Sequence, residues 1–449
     1  MSAQTADVIV IGAGFAGLKA ATELVGMGRS VIVLEANERV GGRVKRGEVG
    51  GHIADFGGQW VGKHHDMLLA DARRFGIETY PQYETGKTVM QLLGKLVQFT
   101  GNVPKMPFLS LLELARIQKR WDRDMATLPP HAPWEAPNAK AWDSITLDTW
   151  IERNVHTRSA RQFARLVPRG AWAADAQQVS YLWFLDALRS NRGLEYLMAV
   201  KDGMLDAKFK GGMQQIAQRL ADTLGDRLIP SAAAQRIVQD SSGVRVTTLK
   251  GEFAARFVIV TAPPAAAARI AYEPHLPSSR DGLHQRMPAG SIMKALIVYA
   301  EPFWRQEGFS GQVATDDDTV GLVLDDVRDD GTAVLLAFIE VRHAVELSAA
   351  SKDERQEKVV ASLVRFFGPR ARDVIAYDDN DWTVEPYAHG YVSSMPPGTM
   401  TRFGKALREP CGRIHWAGSE TSVEWAGCIE GAMRSGLRAA QEVAKRHNS

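Results

Sequence analysis

The sequence predicts an α/β fold: a Rossmann-like domain, discontinuous along the chain, with an α+β domain inserted into it. Three observations predict it. The chain opens as apolar strand, glycine-rich turn, amphipathic helix and second apolar strand, the grammar of a parallel βαβ unit. Its closing segment returns to strand, glycine turn and helix. Between the two lie long helical periodicities and a group of β-patterned runs.

In chain order, Asp7 to Ile11 is a short apolar strand. Phe15 to Gly26 follows as a helix, with Leu18, Ala21, Leu24 and Val25 at helical spacing. Ser30 to Leu34 is a second strand that needs burial on both faces. Leu111 through Met125 predicts a long helix, and the proline-rich stretch from Leu128 to Pro137 a surface loop. Residues 143–200 read as further helices, clearest over Ile145 to Ile151 and Tyr181 to Met198. β-like patterns occupy Ile237 to Thr248 and Ala255 to Thr261, stopping at Ala262-Pro263-Pro264 because proline cannot donate to a ladder. Residues 291–299 and 332–341 are strand candidates, and Glu354 to Phe367 a helix. Arg413 to Ala417 and the helix from about Ala426 to Lys445 close the chain. We expect 1–80, 208–290 and 380–449 to form the nucleotide-binding domain, and 81–207 with 291–379 the substrate-binding domain.

The totals bound the function. With 449 residues the chain exceeds one ordinary core. Lys plus Arg number 54 against 52 Asp plus Glu, so no basic excess points to nucleic acid. Asp316-Asp317-Asp318 reads as a solvated turn. Cys411 and Cys428 fit no metal spacing, which predicts no metal site and a reducing, cytoplasmic compartment. No secretory signal and no apolar run of ~20 residues is visible, so no membrane anchor is expected.

Gly12-Ala13-Gly14-Phe15-Ala16-Gly17 matches GxGxxG between a strand and a helix, the context the motif requires. Its glycines permit a tight turn, and the helix N-terminus favours a pyrophosphate. Glu35 ends the next strand, where a carboxylate accepts hydrogen bonds from ribose hydroxyls. Gly41-Gly42-Arg43 follows at close range, two glycines for backbone approach and a cation for the diphosphate.

Val8 through Arg43, including Glu35-Ala36-Asn37-Glu38-Arg39-Val40-Gly41-Gly42-Arg43, resembles the flavin monoamine oxidase family of FAD-dependent amine oxidases. Gly57-Gly58-Gln59-Trp60-Val61-Gly62 continues the similarity, as do Trp416 to Thr421, Gly427 and Glu430-Gly431-Ala432. The resemblance covers essentially the whole chain, weakest at about 85–140. It implies a FAD-binding domain of the GR2 type, with FAD as cofactor and a small-molecule amine and oxygen as partners. Gly12, Gly14, Phe15, Ala16, Gly17, Glu35, Ala36, Arg39 and Gly41 to Arg43 would then contact the nucleotide half. Gly57 to Trp60, Ala262, Trp382, Gly418 to Glu420 and Gly427 to Ile429 would meet the remainder. The resemblance leaves a homodimer open.

It also implies catalytic positions. Lys294, on an apolar strand and followed by Pro302-Phe303-Trp304, would hold a water beside the flavin. Trp382 would pack on the flavin, and Tyr391 would be half of an aromatic sandwich for the amine. Two departures matter. Gly390 stands where mitochondrial relatives carry the cysteine that bonds the flavin, so non-covalent FAD is expected. Cys428 replaces the second sandwich tyrosine, which leaves room for a bulkier or secondary amine. Register places Gly170, Ala171, Trp172, Met198 and Leu205 on the pocket wall. Arg169 has two readings, a carboxylate anchor or a surface ion pair. The chemistry so implied is hydride transfer from the carbon next to nitrogen to flavin, then imine hydrolysis and oxygen reduction to hydrogen peroxide. Two alternatives stay open: a flavin dehydrogenase or oxidase of a cyclic or secondary amine of alkaloid or polyamine type, and a non-catalytic flavoprotein scaffold.

Overall fold

The computed structural model describes residues 4–101 and 103–447. Its organising element is an eight-stranded sheet. Gln4–Ile11 runs through the middle, parallel to Val31–Leu34 on one side and Gly251–Val260 on the other. Leu228–Ile229 extends the first side, and Ile414–Trp416 pairs in parallel with Gly251–Val260. Val8, Ile9 and Val10 are fully buried, as a parallel strand covered on both faces must be. The helices Phe15–Gly26 and Ile429–His447 cover the face bearing Val8, Val10, Val33 and Ile259. Ile9, Ile32, Leu34, Val258 and Trp416 fill the opposite face. The two chain ends therefore share one sheet.

A second, seven-stranded sheet runs from Ala376–Asp381 through Ile292–Tyr299, Ala333–Glu340, Leu322–Asp325 and Phe309–Thr315 to the hairpin Lys87–Leu92 and Lys95–Phe99. Its central strands alternate. Met293, Ala295 and Ile297 face one core with Leu335, Ala337 and Ile339. Leu296, Val298, Val334 and Leu336 face the other way, onto Phe56. By the period of two, Lys294 and Glu340 belong to this second face. Phe108–Met125, Leu147–Asn154, Arg158–Trp172 and Tyr181–Ser190 form a separate helical layer around Trp121, Trp150 and Tyr181.

The pattern predicts the long helices, most strands of the first sheet and the two central strands of the second, Ile292–Tyr299 and Ala333–Glu340, but not the other five strands of that sheet. Asp316 and Asp318, expected in a solvated turn, are buried, and Asp318 accepts from Ser362 Oγ at 2.6 Å. Two predicted elements differ in form. The helix expected over Tyr181 to Met198 breaks in two, Tyr181–Ser190 and Gly193–Met198, because Arg192 adopts a left-handed φ of 63°. The run Ile237 to Thr248 is a hairpin, Ala234–Gln239 against Val244–Thr248. It turns at Asp240, whose carboxylate accepts the Ser242 and Gly243 N–H groups. Among the described residues no helix is long and apolar enough to cross a membrane, and no group of three or more His, Cys, Asp or Glu side chains is gathered to hold a metal.

Candidate active site

A cavity of about 680 Å³ opens at Gly12, Gly14 and Glu35 and reaches Tyr391 and Cys428. Its nucleotide end is bare backbone. Gly12 has φ 100°, and a Cβ there would lie 2.6 Å from Thr261 Oγ1. A Cβ on Gly42 would lie 3.3 Å from the Cα of Gly14, so two glycine turns nearly touch. Gly17 does not line the cavity; its Cβ would fall 1.9 Å from Gly12 O, so only glycine lets the helix approach its own strand. The helix begins at Phe15 with no side-chain cap and no acidic residue in its first turn. Its N–H groups and dipole are left for an anion. Glu35 is buried, with Oε2 accepting the Ala13 N–H at 2.6 Å and Oε1 the Asn37 N–H at 2.9 Å. A glycine cradle, an uncapped helix start and a buried carboxylate fit the diphosphate and ribose of FAD. Ala16, Ala36, Arg39, Gly41 and Ala262 line the same end.

Farther in, Arg43 forms a fork on Glu420, with N–O distances of 2.6 and 2.9 Å. It also donates to Ser419 Oγ at 2.9 Å and to the Tyr391 carbonyl at 2.8 Å. Burial opposes both charges, yet the pairing holds Glu420 below the usual carboxylate range and Arg43 above its ordinary value. The sequence assigns Arg43 to a diphosphate; the structure commits its charge to Glu420. Gly418, φ 119°, donates to Ser435 Oγ at 2.9 Å. Gly427, Cys428 and Ile429 line the cavity where the closing helix starts. Gly58 packs there because a Cβ would already be 3.4 Å from Ile429 Cδ1.

Lys294 is 1% exposed. Its Nζ donates to Gly57 O at 2.9 Å and Gln59 Oε1 at 2.5 Å, and lies 5.5 Å from the Trp60 ring centroid. Gln59 in turn donates to Asp326 Oδ1 at 2.8 Å, which also accepts from Lys208 at 2.9 Å. Arg328 pairs with the other Asp326 oxygen at 2.7 Å. Burial pulls the Lys294 ammonium down to about 7, with Asp326 and Asp55 opposing that fall. Trp382 is buried; its Nε1 donates to Phe56 O at 2.8 Å, and its ring leaves 3.0 Å for a Cβ on Gly57. Burial is the largest cause holding the Tyr391 hydroxyl up at about 12. The same cause pushes the Cys428 thiol up to about 12, and Cys428 Sγ lies 3.2 Å from Asn191 Oδ1.

Of the expected pocket residues, Leu205 lines the cavity beside Met204. Ala171 is half-buried and Trp172 is buried edge-on against Trp183 at 5.3 Å. Gly170 is exposed and Met198 is 52% exposed; neither lines the cavity. The helix Gly193–Met198 has no buried residue, so register alone misplaces Met198. Arg169 pairs with Asp175 at 2.8 Å and donates to Asp316 O, the surface reading of its two. Asn37, His65, Thr261, Met204 and Val392 line the cavity without a motif that announces them.

The flavin containing amine oxidoreductase model matches residues 15–444. The chain is 37% identical to the flavin-containing amine oxidase of Danio rerio over 454 residues, covering 99% of this chain and 86% of that one. It superposes on putrescine oxidase bound to putrescine with a TM-score of 0.95 at 31% identity, covering 99% of this chain and 100% of that one. For cyclohexylamine oxidase from Brevibacterium oxydans IH-35A the values are 0.93 and 33%, with the same coverage. The chain therefore belongs to the flavin-containing amine oxidoreductases: it is an oxidoreductase that acts on amines with a flavin cofactor.

Proposed function

We propose that the protein holds FAD without a covalent bond and oxidises an aliphatic amine at the carbon next to nitrogen, with imine and hydrogen peroxide as products. The observation that carries this reading is one continuous cavity joining Glu35 and the glycine cradle to Tyr391 and Cys428. Gly12, Gly14, Gly41 and Gly42 would hold the diphosphate and Glu35 the ribose. Ser419, Gly427 and Ile429 would border the ring end. Bound there, the flavin supplies the hydride acceptor and the route for electrons to oxygen.

This chain supplies the rest. Met204, Leu205, Tyr391 and Val392 make an apolar wall, which lowers an ammonium pKa and favours the neutral amine. Tyr391 offers one aromatic face, and the small Cys428 leaves space opposite it. With its thiol held up at about 12, Cys428 stays protonated and is a wall, not a nucleophile. Lys294, its proton balanced near pH 7, would present a cation beside the reacting centre in its protonated form. Non-covalent attachment is supported at Gly390, where φ is 129° and a Cβ would meet Ala289 Cβ at 2.6 Å and Gly290 O at 2.8 Å. A cysteine there has no room. The two solved neighbours named for putrescine and cyclohexylamine support an aliphatic substrate. We assign 1–80, 208–290 and 380–449 to cofactor binding and the remainder to substrate binding.

The test is a peroxide-coupled screen of aliphatic, aromatic, cyclic, polyamine and amino-acid substrates, with anaerobic bleaching of the holoenzyme in parallel. At least one aliphatic amine should bleach the flavin and yield peroxide in air. A yellow protein that no amine bleaches would end this reading.

A further inference from the structure

The break between the helices Tyr181–Ser190 and Gly193–Met198 grips the loop that carries Cys428. The Ser190 carbonyl accepts the Trp425 N–H at 2.8 Å. Arg189 donates to the Val423 carbonyl at 3.3 Å, and the left-handed Arg192 lies 5.4 Å over the Trp425 ring. Between them sits Asn191, 1% exposed. Its Nδ2 donates to the carbonyls of Ala187 at 2.9 Å and Ala426 at 3.1 Å. Those bonds fix the orientation of the amide and turn Oδ1 to Cys428, whose Sγ lies 3.2 Å away. A carbonyl oxygen only accepts, so the thiol is the donor of this bond. Its proton is there to be given, because burial keeps the thiol from ionising. Ending the helix needs only the bond to Ala187; the other two reach a segment more than 230 residues away in sequence.

The consequence lies on the other side of the sulfur. Cys428 is half-buried and lines the cavity beside Met204, whose Sδ is 3.9 Å from Sγ. A sulfur whose one hydrogen is already given to Asn191 offers the cavity only lone pairs. That matters to an amine undergoing oxidation. The hydride leaves carbon for the flavin with the C–H electron pair, and the nitrogen lone pair becomes the second bond of C=N, giving an iminium ion. A thiol free to rotate would donate to that lone pair and tie it up. A sulfur held as an acceptor takes the amine N–H instead and leaves the lone pair to the carbon.

We propose that Asn191 is a positioning residue that holds the Cys428 sulfur as hydrogen-bond acceptor for the N–H of the reacting amine. This rests on the proposed amine-oxidising site, where the amine lies between Tyr391 and Cys428. An amine with an N–H is thereby oriented for transfer, and a tertiary amine lacks that hold.

The test is anaerobic reduction of the holoenzyme flavin by an N-methylalkylamine and its N,N-dimethyl counterpart, read by stopped flow as the ratio of limiting rates. Cys428→Ser and Cys428→Ala leave side chains of nearly equal size, but only the hydroxyl donates to Asn191 and still accepts from the amine. Cys428→Ser should keep a ratio near that of wild type. Cys428→Ala should lower it roughly 3- to 10-fold, the scale of one hydrogen bond. Asn191→Leu and Asn191→Ala free the thiol, so each should lower the ratio by a similar factor on its own and leave it unchanged in the Cys428→Ala background. A residue that only ends the helix would act alike in both backgrounds. Equal ratios in Cys428→Ser and Cys428→Ala overturn the acceptor role, and equal effects of the Asn191 variants in both backgrounds overturn the positioning role. If wild type is reduced by either amine and these comparisons fail, only this assignment falls. If neither amine reduces wild type, the reading beneath it falls as well.

Discussion

Lys294 is the residue on which the electrostatics of the site turn. Its proton is balanced near pH 7 because burial pulls it down while Asp326 and Asp55 hold it up. The oxygen half of turnover should lose rate as pH rises through about 7, since the cation is then lost. The amine half should gain over the same range, since more substrate is neutral. Lys294→Met should slow flavin reoxidation at least ~10-fold, with a smaller effect on anaerobic reduction, and flatten the pH dependence of reoxidation. Stopped-flow measurement of both halves decides this; an equal effect on both removes the role. Asp326→Asn removes a counter-charge, so the reoxidation midpoint should move below 7 in whatever folded fraction survives. At Cys428, Cys428→Tyr should narrow the substrate range towards slim primary amines, and unchanged selectivity in the same screen would place Cys428 off the amine path. Residues such as Glu35 and Gly12 are legible in the sequence because their chemistry is local backbone chemistry. The chain Lys294–Gln59–Asp326 is not, because its members come from three distant segments and meet only in the fold.

At the scale of elements, the closing helix and the first helix touch through backbone. A Cβ on Gly436 would lie 2.2 Å from Ala16 O. Gly436→Ala should force the two helices apart, at a cost of about 1–3 kcal/mol in stability, with weaker FAD binding because the helix at Phe15 carries the cradle. Thermal unfolding and flavin-fluorescence titration read the two effects; an unshifted Tm would show that the helices slide freely. Periodicity finds the long helices, most strands of the first sheet and the two central strands of the second because each buries one face or both; it does not find the second sheet's other five strands. It misses the break at Arg192 because a single left-handed residue leaves the apolar spacing intact. It also misplaces Met198, since helical spacing cannot tell a cavity wall from a surface turn when the helix is short.

For the whole molecule, the absence of room at Gly390 supports the proposed non-covalent attachment of the cofactor. Acid precipitation of the holoenzyme should leave yellow FAD in the supernatant, and flavin retained in the pellet would contradict the reading. The glycine motifs at either end of the chain announce one nucleotide site because both belong to one sheet. The partition of the chain between them is less legible, since strand pairing joins segments that sequence separates. That pairing has a consequence for truncation. Ile414–Trp416 joins the sheet that Gln4–Ile11 opens, and Ile429–His447 borders the ring end. A fragment cut before Ile414 keeps the glycine cradle but loses both, so it should take up no FAD in a fluorescence titration that saturates the intact protein.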